Sequence, residues 1–526
     1  MLGVFSKFYN YFFLLTICFY NAFPKKIRPY VLLLISLLFF YLMSFKLIIC
    51  LFLTIISIYI SALFIDKLNI KKDELLEGKT SGEKKQIKKI YNRKKMIVLI
   101  ICVLFNFSFL FIFKYLKFFT INTNLILDIL NINYSFKILK LIAPIGISFY
   151  TLQALSYLFD VYYEKISADK NFLRVALFIS FFPQIVEGPM ARYSDTAEDL
   201  YKGHDITYVN LTSGMQRILW GIFKKVVIAD RLNILVKTVF ANYSIYSGPI
   251  CFIGALGYTI MLYMEFSSTM DIVIGTGQIF GVKIPENFKQ PFFSKSISEF
   301  WTRWHISLGL WFRDYIYYPI SLSKPMKKLT INSRKIVGNY FGPLISGTIA
   351  LFAVWSLNGL WHGAGWTFIL FGMYHFIIIF LGNVFEPLIQ KIFIKINLDR
   401  ENKVYRVFRS IKVFVLVVIG ELIFRAPTVT IATEMIKKIF TNFNITISEL
   451  SSLGLDIPDY LVLFVSILLV LVISILKENN INIRKEIEKQ NIIIRWIIFY
   501  ILIFSIIIFG AYGVGYQPID PIYADF

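Results

Sequence analysis

An apolar run from about 341 to 381 contains no Asp, Glu, Lys or Arg. It is about twice as long as the roughly 20 residues that one membrane-crossing helix requires. A run of that length must double back. The stretch Asn358-Gly359-Leu360-Trp361-His362-Gly363-Ala364-Gly365-Trp366 is its natural turn. The turn has no charged residue and no long polar loop, so it is expected to stay close to the apolar phase. Gly363 and Gly365 permit positive φ and close backbone approach. His362 is the ionisable group of the turn, bracketed by Trp361 and Trp366. An ionisable residue at membrane depth is a functional candidate because burying it is costly unless it has a partner or a task. Asn358 lies four residues earlier and shares the face of His362 on a continuing helix. It is placed to hold one imidazole nitrogen. The competing reading is a structural histidine that pins the hairpin through a hydrogen bond.

The rest of the chain agrees with a membrane setting. Of its 526 residues, 57% are hydrophobic, and the mean hydropathy is +0.65. That is too apolar for a soluble domain, and the apolar runs exceed what a barrel strand needs. The expected fold class is an all-α polytopic membrane protein with about eleven transmembrane helices plus one or two re-entrant pieces. A net charge of +22 does not imply nucleic acid. The basic residues sit in short segments between apolar runs, where they set topology and meet anionic lipid. Cys18, Cys50, Cys102 and Cys251 all fall in apolar segments without a CxxC pair. They suggest neither a metal site nor a disulfide framework.

Apolar spans are expected at about 5–23, 30–45 and 47–65. The first is read as a span and not a removed signal, because Pro24-Lys25-Lys26 follows it in place of a small-residue cleavage site. Residues 66–95 carry eleven Lys/Arg against five Asp/Glu and read as a solvated cytoplasmic linker loop. Counting back places Lys25-Lys26-Ile27-Arg28 on the same side. A fourth span follows at 96–113, and an Asn-rich stretch at 120–133 is expected outside. Residues 139–162 return inward with a kink at Pro144 and Gly146. Residues 172–190 hold Pro183, Glu187 and Pro189 and read as a broken or re-entrant segment, which must lie against protein or water. Residues 252–280 are apolar but carry Glu265 and Asp271. These are candidates either for chemistry or for pairing with a buried base. Residues 386–409 hold six Lys/Arg and are expected inside, and further spans lie near 411–424, 461–476 and 496–512.

The basic, aromatic region 283–335 fits no clean span. Ser296-Ile297-Ser298-Glu299 has the capping-box form, so a helix is expected to start at Ser296. On one continuous helix Trp301, Trp304, His305, Leu308 and Phe312 would share a face, with Arg303 and Asp314 on another side. This is either a site or an interfacial amphipathic helix with Arg303 and Arg313 at lipid headgroups. His375 lies thirteen residues past His362, faces roughly the other way, and is read as structural.

Several of these segments together resemble the membrane-bound O-acyltransferase superfamily, and within it the alginate O-acetylase and teichoic-acid D-alanyl-transfer branch. They are Phe181-Phe182-Pro183-Gln184, Gly188-Pro189 with Arg192-Tyr193, Pro285-Glu286-Asn287-Phe288, Glu299-Phe300-Trp301-Thr302-Arg303-Trp304-His305-Ile306-Ser307-Leu308, Trp311-Phe312-Arg313-Asp314-Tyr315, Gly359-Leu360-Trp361-His362-Gly363 and Leu422-Ile423-Phe424-Arg425-Ala426. The resemblance implies one membrane domain over 1–526. Residues 143–426 would be its motif-bearing core and 459–526 its closing spans, with the helices forming a ring around a central tunnel. It implies that His362 and His305 are the catalytic pair, with Asn358, Trp361, Glu265, Arg303 and Asp314 in support. In two places the chain departs from the branch. Glu265 stands where an aspartate is usual, and Glu187 where a small residue is common.

On that resemblance the expected activity is transfer of an acyl group, acetyl first and D-alanyl second, to hydroxyls of a cell-envelope polysaccharide outside the cytoplasmic membrane. The donor would be a thioester, acetyl-CoA or an acylated carrier protein, at the cytoplasmic face. The other partners would be an acyl-accepting protein or glycopolymer outside and membrane lipid, with no nucleic acid, no bound cofactor and no metal. A glycan or lipid transporter is the rival reading, because transporters also use broken helices and intramembrane carboxylates.

Overall fold

The computed structural model describes residues 2–397, 399–512 and 516, with side chains from Phe12 onward. Helices dominate, and the described residues hold one isolated β-bridge, Phe288 to Trp304. Seven helical runs among them are long and apolar enough to cross a membrane. The chain divides into two compact units. One is built from residues up to Met215 together with Val273–Pro285, the other from Gln216–Ile272 together with residues from Glu286 onward.

In the first unit, α1 (Leu2–Asn21), α2 (Arg28–Ser44) and α3 (Ile48–Leu76) precede α4 (Ser81–Leu110) and α5 (Leu116–Ile129). The basic stretch 66–95 is not the linker expected from its composition. It is helical almost throughout, because α3 and α4 extend past their apolar parts and reverse over a short turn. Thr80 caps α4 by accepting from the Glu83 N–H, while the Glu83 carboxylate accepts from the Thr80 N–H at 2.9 Å. Buried Lys72 and Lys95 on these extensions both reach Glu164, at 2.6 and 2.5 Å. The chain over 131–144 has no regular structure, so the segment at 139–162 is not one kinked span. Its helix α6 begins at Ile147 and runs to Tyr162.

The proline-bearing segment 172–190 is broken and buried, as its sequence requires. It forms α7 (Phe172–Ser180) and α8 (Phe182–Ile185), and residues 186–190 are buried without helix. Its freed backbone groups find side chains. Ser36 accepts from the Phe182 N–H at 3.1 Å, and the Gln184 amide donates to the Pro189 carbonyl at 3.1 Å. Non-helical backbone is tolerated at membrane depth only where such partners exist. Helix α9 (Tyr193–Lys202) follows.

Helices α10 (Tyr208–Phe223) and α11 (Asp230–Ala241) are joined by a π-helical turn over Lys224–Ala229. Helix α12 covers Gly248–Ile279. In the second unit come α13 (Ile297–Arg303), α14 (Ile306–Phe312) and α15 (Tyr318–Ser321), then α16 (Lys324–His362), which is broken at Gly338 (φ 83°, ψ 179°), and α17 (Trp366–Lys395). These two are the hairpin expected from the uncharged run. The remaining helices are α18 (Lys403–Arg425), α19 (Val429–Thr441), α20 (Ile447–Ser451), α21 (Ile457–Glu478), α22 (Ile483–Glu488) and α23 (Ile492–Phe509).

Candidate active site

The hairpin turn is Gly363 to Gly365, and His362 is the last residue of α16. The glycines do not serve by positive φ. Gly363 and Gly365 are extended, at φ −177° and −159°. They serve by close approach, since a Cβ on Gly363 would lie 2.2 Å from the Phe368 ring. The two helices meet through glycines as well. A Cβ on Gly359 would come 2.5 Å from the Phe368 carbonyl oxygen, and one on Gly372 would come 2.4 Å from that of Trp355. Packing this tight leaves His362 5% exposed. Its ring is met edge-on by Trp361, Phe424 and Phe371, with centroids 5.0, 5.2 and 5.9 Å away.

His305 reaches the same neighbourhood by a break in the chain. Ser296 caps α13 by accepting from the Glu299 N–H at 3.1 Å. The Glu299 carboxylate takes the Lys295 N–H instead of closing the box on Ser296. The expected single helix ends at Arg303 and α14 begins at Ile306, so Trp304 and His305 do not belong to one helical face with Trp301 and Phe312. Trp304 pairs with Phe288 in the β-bridge. His305 adopts the left-handed conformation, φ 47° and ψ 51°. Histidine tolerates that region better than most residues, and residues held there gather at functional sites. His305 is 3% exposed, and burial pushes its imidazole down to about 3. It is therefore neutral at physiological pH. Phe266 and Trp361 pack on its ring at 4.8 and 5.7 Å. Trp361 thus touches both imidazoles, and the two histidines separated by more than fifty residues of sequence share one aromatic wall.

In the sequence Asn287 is part of the Pro285–Phe288 motif and has no role of its own. The structure gives it one. Its Oδ1 accepts from the Ser307 N–H and hydroxyl, both at 2.9 Å. Its Nδ2 lies 3.2 Å from His305 Nδ1, and its carbonyl accepts from the Ile306 N–H at 3.0 Å. Only a motif read as a spatial partner of the histidine segment, across eighteen residues, would have found it.

The supporting residues fall into different settings. Asn358 is buried on α16, and its Oδ1 has no hydrogen-bond partner among the described residues. It does not accept an imidazole N–H. Glu265 is fully buried on α12 beside Phe266. Arg303 pairs with Glu299 at 2.8 Å and with Glu478 at 2.7 Å, which ties α13 to the end of α21. Asp314 accepts from Arg313 at 2.9 Å within a π-helical turn over Arg313–Tyr317. His375 accepts from the Trp301 indole N–H at 3.3 Å and stacks on Trp355, which fits a core histidine. Asp271 pairs with Lys224 at 2.8 Å and with Arg217 at 2.9 Å. These three groups, with Tyr263, Asn287 and Lys477, line a polar cleft. Asn287, which holds His305, is thus one of the residues that line this cleft.

Residues 163–334 match the model of the MBOAT, membrane-bound O-acyltransferase family. The chain is 34% identical over 339 residues to a probable alginate O-acetylase of Pseudomonas putida, covering 64% of each. It is 33% identical to a peptidoglycan O-acetyltransferase of Helicobacter pylori, over 54% of this chain and 55% of the relative. It is 30% identical to a teichoic acid D-alanyltransferase of Bacillus subtilis, over 47% of this chain and 60% of the relative. In these alignments the chain spans between 55% and 64% of the length of the relatives it matches.

Proposed function

This chain belongs to the membrane-bound O-acyltransferase family, and from that premise we propose that it moves an acetyl group from a thioester donor to hydroxyls of a cell-envelope polysaccharide. The observation that carries the reading is the pair of buried imidazoles joined by Trp361. His362 takes the proton from the attacking hydroxyl as its oxygen adds to the thioester carbonyl. The tetrahedral adduct then expels the thiolate as the C–S bond breaks, and the imidazolium returns the proton to sulfur. The products are an ester and a thiol, with no net proton change. General-base help of this kind contributes on the order of 10²–10⁴-fold. The aromatic wall keeps water from the thioester, whose hydrolysis would waste the donor.

Acetyl is favoured over D-alanyl because the relatives named as O-acetylating enzymes align over more of the chain than the D-alanyltransferase does. The donor, acetyl-CoA or an acylated carrier protein, approaches from the cytoplasm in this reading. The acceptor polymer, or a protein that relays the acyl group to it, lies outside the cytoplasmic membrane. The basic segments 66–95 and 386–409, counted as inside, support that direction.

The test is His362→Ala in membranes given acetyl-CoA labelled in the acetyl group. Ester on the polymer should disappear while the variant inserts at normal levels. Wild-type ester content from a fully inserted variant would sink the proposal, and would fit an exporter of already acylated polymer. Label entering from a D-alanyl carrier but not from acetyl-CoA would move the substrate to the second acyl group.

A further inference from the structure

The amide of Asn287 can be oriented without ambiguity. A backbone N–H is always a donor, so the atom 2.9 Å from the Ser307 N–H must be the oxygen. The Ser307 hydroxyl adds a second donor to that oxygen at 2.9 Å. The other terminal atom is therefore the NH₂ group. Its two hydrogens face Met270 Sδ and His305 Nδ1, each at 3.2 Å from Nδ2. His305 Nδ1 also lies 3.4 Å from Oδ1, but that oxygen already accepts two closer hydrogens from Ser307, so the shorter contact with the amide N–H is the one that Nδ1 makes, as acceptor. A neutral imidazole has one acceptor and one donor nitrogen. If Nδ1 accepts, the ring proton sits on Nε2, across the ring from Asn287.

The clasp is rigid as well as oriented. Asn287 is 1% exposed, its carbonyl holds the Ile306 N–H, and Phe288 pairs with Trp304. His305 is thus gripped from both sides of its left-handed turn. Resting on the reading of His362 as base, we propose that Asn287 is a positioning residue that fixes His305 as the Nε2–H tautomer, so that His305 serves acyl transfer as a hydrogen-bond donor and not as a second base. The group it would serve is the carbonyl oxygen that gains negative charge as the hydroxyl adds. A pre-aligned donor acts there without reorganisation, and loss of one such donor costs about 10²–10³-fold in kcat. The division of labour follows from the hydrogen bond made at the other ring nitrogen, which is what sets histidine tautomers generally.

Two comparisons test this with acetyl-CoA as donor and the native polymer in membranes. The first leaves Asn287 untouched. His305→Gln puts an amide N–H near the place of Nε2–H, and His305→Ala does not. Gln should retain at least about tenfold more activity than Ala. The second uses Asn287→Asp, which keeps Oδ1 for Ser307 but sets an acceptor against Nδ1 and draws the ring proton there. It should lower kcat by about 10²–10³-fold while the donor KM moves less than about twofold. In a His305→Gln background, which has no tautomer to lose, the same Asp should cost less than about threefold. A structural role for Asn287 would instead lower the amount of folded protein equally in both backgrounds. Gln no better than Ala at position 305, in variants that insert normally, overturns the proposal. So does an Asn287→Asp enzyme with wild-type kcat. Either result with an inactive His362→Ala leaves the base reading standing. An active His362→Ala removes the base reading instead.

Discussion

Replacing Gly359 by Ala asks how closely the turn that carries His362 depends on the crossing of α16 and α17. Gly359 lies one turn before His362, and a Cβ there would meet the Phe368 backbone oxygen at 2.5 Å. Ordinary contact begins at 3.4 Å, so the two backbones must part by about 0.9 Å. Two effects on stability oppose each other. Alanine in a helix interior gains up to about 1 kcal/mol over glycine. Forcing backbone apart in a packed core costs about 1–3 kcal/mol. The net change is therefore a destabilisation of about 0–3 kcal/mol, small enough for the protein to fold. Activity should suffer more, because a misplacement near 1 Å costs about 10²-fold when reacting groups must be aligned. The assay is the initial rate of acetyl transfer in membranes beside a thermal unfolding scan in detergent. Gly382→Ala on α17 is the control, since nothing stands within 4 Å of its added Cβ. Gly359→Ala should lose about two orders of magnitude in kcat with a small fall in unfolding temperature, and Gly382→Ala should lose neither. An active Gly359→Ala enzyme would show that the crossing does not position His362.

Three further outcomes are expected. Burial would raise the Glu164 carboxyl, but hydrogen bonds and charge from Lys72 and Lys95 outweigh it and hold it below the usual carboxylate range. Its contribution is then fully present above the unfolded value of about 4.3 and is lost as pH falls through the lower folded value. Glu164→Gln should unfold at lower temperature at pH 7 and lose less on acidification than the wild type, and parallel melting curves from neutral to acid pH would refute this. Lys324, Lys327 and Lys328 are exposed at the start of α16. Neutralising all three should raise the half-saturating concentration of an anionic thioester donor at low salt, with the difference fading at high salt; an unchanged donor dependence would remove them from docking. Finally, a variant with all four cysteines replaced by Ser should keep its activity if it inserts, because the proposed transfer is direct. A folded but inactive variant, with a trapped acyl-thioester on the wild type, would point to an acyl-enzyme.

Hydrophobic length alone decided the class of this protein and the hairpin at its centre. A run of some forty uncharged residues has one helical solution, and the helix it predicts does end on His362. The broken segment at Pro183 and Pro189 was also legible, because proline removes backbone donors whatever surrounds it. Other features depended on partners distant in sequence. Periodicity extended one helix through His305, and tertiary contacts overrode it. The clasp of Asn287 and the bridge from Phe288 to Trp304 turn the chain into a left-handed step there. Charge density made 66–95 look like a solvated loop. The helix persists because its buried lysines converge on Glu164, almost seventy residues further along the chain from Lys95. The glycines of the turn were marked as special by sequence, but the choice between positive φ and close approach belonged to Phe368. The tautomer of His305 is the clearest case. Residue type makes an imidazole able to donate or accept, and only the neighbour at Nδ1 determines which nitrogen does so.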